Sequence, residues 1–253
     1  MNPLLYLLFT LSAMVYASVG FGGGSAYLAW FVLFGVSSAI AAPMALICNI
    51  IVVAGGTVRF VREGHFRWRL FLPFAAGSFP LAFAGGAWLP PLALVKMVTA
   101  LSLGASALAI LFAPRAQNGR AVDTIPLWQL WLAGLPAGAI LGWLAGVVGI
   151  GGGIFLVPVL YLLRWGEPRQ IAAVSSVFIL VNSISGLAGH SIRSDTIHGL
   201  LPYLGLTLAV LAGGQLGSAI GARRLHPVWI RRVTALILLW AAVRMGANVI
   251  GRG

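Results

Sequence analysis

Gly20-Phe21-Gly22-Gly23-Gly24 returns 129 residues later as Gly149-Ile150-Gly151-Gly152-Gly153, and both copies fall inside long apolar runs. Three adjacent glycines strip the side chains from about one helical turn and weaken a helix by roughly 1 kcal/mol each relative to alanine. Each run is therefore expected to break at its glycines. Inside a membrane a broken helix is tolerated only where the freed backbone groups face protein or a wet cavity. The two breaks are accordingly read as two halves of one binding site.

The rest of the chain supplies the membrane setting. Of 253 residues, 60% are hydrophobic and 8% charged, with a mean hydropathy of +1.00, whereas a soluble domain carries about a quarter charged residues. The expected class is all-α and polytopic, solvated by lipid and by its own helices. The N-terminal run lacks a basic flank, so it is expected to remain as a helix rather than leave as a signal peptide. The formal net charge of +12 sits on arginines in short loops between apolar spans. No basic, aromatic-interleaved face is offered to nucleic acid, and the arginines read as topology signals. Cys48 stands alone in an apolar run, which excludes a disulfide framework and fits a small buried hydrophobe.

In chain order, apolar stretches occupy 3–19, 25–36, 38–58, 70–89 and 94–112; the polar stretch 113–127 links them to 128–148, 154–163, 170–189, 199–221 and 230–248. Two repeats follow, 1–112 and 128–253, each with one glycine-broken segment and three full spans. Such duplication is a recurrent feature of transporters. Charge separates two topologies. If each broken segment crosses the membrane once, the sixteen Lys and Arg divide nine against seven between the two sides. If each is a re-entrant hairpin, twelve gather on one side and only Lys96, Arg193, Arg244 and Arg252 lie on the other. The positive-inside rule favours the second arrangement. It makes the repeats inverted, with both termini outside.

In an inverted pair, the helices beginning at Ser25 and Ile154 start near the bilayer middle and approach one another. Each presents free N–H groups and the positive end of a helix dipole. Two such ends aimed at one cavity make an anion site. The candidate substrate-binding residues are Gly22, Gly23, Gly24, Ser25 and Asn49 in the first half, and Gly151, Gly152, Gly153, Ser175 and Asn182 in the second. Ser176, Ser183 and Gln215 are further polar residues inside spans. For all these side chains an interhelical hydrogen bond is the competing reading. Scattered pairs such as Gly55-Gly56, Gly85-Gly86 and Gly213-Gly214 read as close helix packing. The four acidic residues, Glu63, Asp123, Glu167 and Asp195, are all placed in loops, as are the four histidines. A cation site or carboxylate relay would need one inside a span. No metal and no cofactor are expected, and no catalytic residue is assigned.

The doubled Gly-x-Gly-Gly-Gly, with Val157-Pro158 after the second copy, then an Ala/Ser-rich span carrying Asn182 and Gly186, resembles the sulfite exporter TauE/SafE family of membrane permeases. The likeness extends over both halves. It implies transport of small anions such as sulfite, sulfonates or related organic acids across a bacterial inner membrane. The family motif falls on Gly20, Gly22, Gly23 and Gly24, and on Gly149, Gly151, Gly152, Gly153 and Pro158. One departure is Ala29, which stands where the second half has Pro158. The expected partners are a small anion and the lipid bilayer, with a homodimer left open. Uptake of a small organic acid and a non-transporting scaffold are the alternatives.

Overall fold

The computed structural model describes residues 2–18, 20–88, 97, 100, 101, 104, 107, 108, 121–192, 199–224, 236, 239 and 243. The stretches expected at 94–112 and 230–248 lie almost wholly outside these residues, as do Lys96, Arg193 and Asp195. Eight α-helices and no strand occur among the described residues: α1 Pro3–Ala17, α2 Gly24–Leu33, α3 Ser38–Arg62, α4 Trp68–Ala87, α5 Leu127–Val148, α6 Gly153–Leu163, α7 Pro168–Ser191 and α8 Gly205–Arg224. Four of them, α3, α4, α5 and α7, are long and apolar enough to cross a membrane. By contrast α6, with 11 residues, is about 16 Å long.

Both helix breaks fall at the glycines. In the first, Gly20 and Gly23 have φ of 86° and 88°; in the second, Gly149, Gly151 and Gly152 have 81°, 78° and 79°. An L side chain there is strained. The helices after the breaks start at Gly24 and Gly153, one residue earlier than expected. Ala29 continues α2 without interruption, so the missing proline does not prevent the matching short helix.

Packing relies on small residues. On α5, Gly138 and Gly142 lie against the backbone of Phe74 and Ser78, and a Cβ at Gly146 would come within 2.8 Å of Gly86 N. Without a hydrophobic drive between helices in lipid, such close backbone approach maximises dispersion contact. Gly213 and Gly217 of α8 bring α1 close in the same way, at Thr10 and Met14. The expectation that Gly85, Gly86 and Gly213 serve packing is met.

Contacts also fix the relative direction of the helices. Along α1 and α2, Tyr16 bonds Ser25 while Phe9 meets both Tyr27 and Phe31, so α2 folds back along α1. Going up α8, Gly205, Gly213 and Gly217 meet Tyr6, Thr10 and Met14 of α1; these two helices run the same way. So do α4 and α5, and so do α4 and α7, where Ser185 Oγ donates to Phe79 O and Gly189 lies on Phe83. In contrast α3 and α7 are antiparallel, with Leu46 beside Gly186 and Thr57 bonded to Ser176.

Three further boundary differences change the setting of named residues. Helix α3 runs on to Arg62, so Arg59 and Arg62 are helical rather than in a loop; Arg59 Nη1 donates to Ser218 O at 3.3 Å. Helix α7 extends to Ser191, which places His190 in a helix instead of a loop. That ring is buried and lies 3.1 Å from Gly146 O. Finally, α8 begins only at Gly205, behind a 3-10 turn at Leu201–Tyr203. Pro202 lies in that turn, whereas Pro73 is inside α4.

Candidate functional site

The two breaks meet at one side chain. Asn49, near the midpoint of α3 and fully buried, donates from Nδ2 to Ile150 O at 3.0 Å. A Cβ on Gly24 would lie 2.5 Å from that same Nδ2, and one on Gly151 3.1 Å from it. A Cβ on Gly22 would meet the Asn49 Oδ1 and come within 2.8 Å of its Cγ. Four of the expected residues, Gly22, Gly24, Asn49 and Gly151, thus stand together. The glycines are needed because the amide fills the space that any side chain would take.

The remaining expected residues are distributed around this centre. Gly23 faces its own helix, where a Cβ would lie 2.7 Å from the Tyr27 hydroxyl. Ser25 is tied to Tyr16, hydroxyl to hydroxyl at 2.9 Å. Gly152 is packed by Ala145 and Phe178, and Gly153 by Ile179, with the Ser175 carbonyl 3.1 Å from a Cβ there. Asn182 Nδ2 donates to Phe178 O of its own helix at 3.0 Å. In the second half it is Ser183 that reaches the break, its Oγ 2.6 Å from a Cβ on Gly151. Ser176 and Gln215 serve helix contacts, Ser176 to Thr57 at 2.8 Å and Gln215 beside Gly55.

Tyr16, Tyr27, Phe178 and Ile179 were not singled out by sequence reasoning. The two tyrosines carry a signal, since a phenol in an apolar run needs a partner for its hydroxyl once buried. For Phe178 and Ile179 there is none, because apolar residues in an apolar span look alike.

Apart from Arg67 Nε, just ahead of α4, five side-chain polar atoms are buried with no hydrogen-bond partner among the described residues: Tyr27 Oη, Asn49 Oδ1, Ser175 Oγ, Asn182 Oδ1 and Ser183 Oγ. Tyr27, Asn49 and Ser183 are directly at the breaks, and each such orphan costs about 1–3 kcal/mol. The first backbone bonds of α2 are those of Ala26 and Tyr27 onto Gly23 O, and those of α6 are Phe155 and Leu156 onto Gly152 O. The N–H groups ahead of them add donors and positive dipole ends. Glu63, Asp123 and Glu167 lie outside the α-helices, and no group of three or more metal-ligating side chains exists among the described residues.

An all-helical bundle with apolar spans and two glycine breaks closing on a buried polar centre defines a polytopic membrane protein of transporter type. The chain belongs to the sulfite exporter TauE/SafE family, whose profile matches residues 5–245. It is 34% identical over 248 residues to the "Probable membrane transporter protein y4hK" of Sinorhizobium fredii, covering 95% of this chain and 96% of that one. Shorter matches are to "Probable membrane transporter protein YunE" of Bacillus subtilis, 31% identical over 42% of this chain and 38% of that one, and to a "Probable membrane transporter protein" of Haemophilus influenzae, 32% identical over 41% and 42%. No solved structure matches.

Proposed function

We propose that the protein exports small anions, such as sulfite, sulfonates or related organic acids, through a site at Gly22, Gly24, Asn49, Gly151 and Ser183, with Gly23, Ser25, Gly152, Gly153, Ser175 and Asn182 around it. The observation that carries this reading is the meeting of both breaks at Asn49, where the Tyr27 and Ser183 hydroxyls are buried without a partner among the described residues and two helix N-termini begin. In a site of low dielectric those donors favour negative charge. The three described acidic residues lie outside the spans, which leaves the centre electropositive.

The proposal includes two inverted repeats whose broken segments are re-entrant hairpins. Two features support it. Helix α2 folds back along α1; Trp165, just beyond α6, packs on Phe74 near the start of α4, where Arg69 also holds Ile125 ahead of α5 and Gly134 of α5 lies on Pro73. Both ends of each broken segment therefore lie at one end of the bundle. Neighbours are also exchanged between halves: Gly20 lies near Ala172 and Gly149 against Ala42, while α1 pairs with α8 and α5 with α4. Exchange of this kind is what a two-fold axis relating the repeats produces. We place the protein in a bacterial inner membrane with both termini outside, where anion export gains about 2.3 kcal/mol per charge for each 100 mV of inside-negative potential. No coupling ion is then required.

The test is flux from liposomes holding the purified protein and loaded with sulfite or a small sulfonate. Efflux is expected under an inside-negative potential without a proton gradient. Strict dependence on a proton gradient would defeat the uncoupled mechanism, and absence of flux for every anion tried would defeat the function.

A further inference from the structure

We infer that the transported anion carries a hydrogen-bond donor of its own, a hydroxyl, ammonium or acidic O–H group, and gives it to Asn49 Oδ1. This deepens the anion site proposed above and rests on it. The Asn49 amide has one allowed orientation. Ile150 O is a carbonyl and can only accept, so the amide nitrogen faces it at 3.0 Å. Turning the amide over would set two acceptor oxygens against each other. Oδ1 is thereby held toward Gly22 and Gly24, at the N-terminus of α2, and it is buried without a partner among the described residues.

An amide oxygen only accepts. An anion offering nothing but acceptor atoms satisfies the Tyr27 and Ser183 hydroxyls and the helix N–H groups, yet leaves Oδ1 unpaired and repelled. An anion with a donor a few bonds from its charged group satisfies both kinds of atom. The centre is therefore matched to a ligand with an anionic end and a donor end.

The experiment compares binding of 2-hydroxyethanesulfonate and ethanesulfonate to the purified full chain in detergent, by calorimetry. These two anions share charge and skeleton and differ in the hydroxyl. The hydroxylated anion is expected to bind about tenfold more tightly, the equivalent of one satisfied buried acceptor. In Asn49→Ala the ratio of the two affinities should fall to near one. Equal binding of both anions by the wild type overturns the inference and leaves the anion site standing, whereas binding of neither overturns the site itself. A ratio that survives in Asn49→Ala also overturns it. Should that variant fail to fold, the wild-type comparison decides alone.

Discussion

At the scale of single residues, glycine identity at the breaks has two separate causes. Gly23 and Gly152 have positive φ, so a side chain there strains the backbone as well as filling space. Gly22 lacks a positive φ, and the three atoms nearest a Cβ there all belong to the Asn49 side chain. Gly22→Ala is thus the cleaner probe: the protein should still reach the membrane folded, while the new methyl displaces the Asn49 amide from the second break. Anion flux in liposomes should fall at least tenfold, with the melting temperature shifted by only a few degrees, and wild-type flux from this variant would remove Asn49 from the site. The breaks were readable from sequence because a glycine triplet inside an apolar run does little there except interrupt a helix. Which asparagine would join them was not. Asn49 and Asn182 look equivalent along the chain, yet one bonds across to Ile150 and the other to its own helix. That distinction depends on the rotation of each helix, which an apolar-all-round span does not encode.

At the scale of elements, the glycines of α5 form a stripe, Gly134, Gly138, Gly142 and Gly146, spaced four apart and facing α4. Spacing of four keeps a stripe on one helix face. A Cβ at Gly142 would lie 2.7 Å from the Ser78 carbonyl carbon, and a backbone cannot yield as a flexible side chain does. Gly142→Ala should therefore cost about 1–3 kcal/mol, seen as a lowered melting temperature in detergent. Leu132→Ala on the same helix, 70% exposed, should stay within about 0.5 kcal/mol of wild type; equal losses in both would mean that α4 and α5 do not need the stripe. Element existence followed from hydropathy, but ends did not. His190 marks a span end by polarity, yet it is buried against Gly146 O. Pro202 is equally at home in a kinked helix or a turn, and only the chain's return toward α1 selects the turn.

At the scale of the molecule, charge and helix direction both support the inverted topology proposed above. Glu63 follows α3, Asp123 precedes α5 and Glu167 precedes α7. Arg69 Nη2 donates to Ile125 O at 2.8 Å, tying the start of α4 to the turn before α5. The contacts thus gather Arg59, Arg62, Arg67, Arg69, Arg164 and Arg169 at one end of the bundle, the basic end that the positive-inside rule assigns to the cytoplasm. Ser37, before α3, and Ser191, closing α7, lie at the opposite end, since α3 and α7 are antiparallel and each is entered from the other's exit side. In a Cys48→Ala background, single cysteines at Arg62 and Asp123 should react with a membrane-impermeant thiol reagent only after the cytoplasmic face is opened, and cysteines at Ser37 and Ser191 in intact cells. Cysteines at Ser37 and Ser191 labelling from opposite faces would mean that the halves are parallel. The two glycine tips would then enter from the same leaflet, and the shared site between them would have no structural basis.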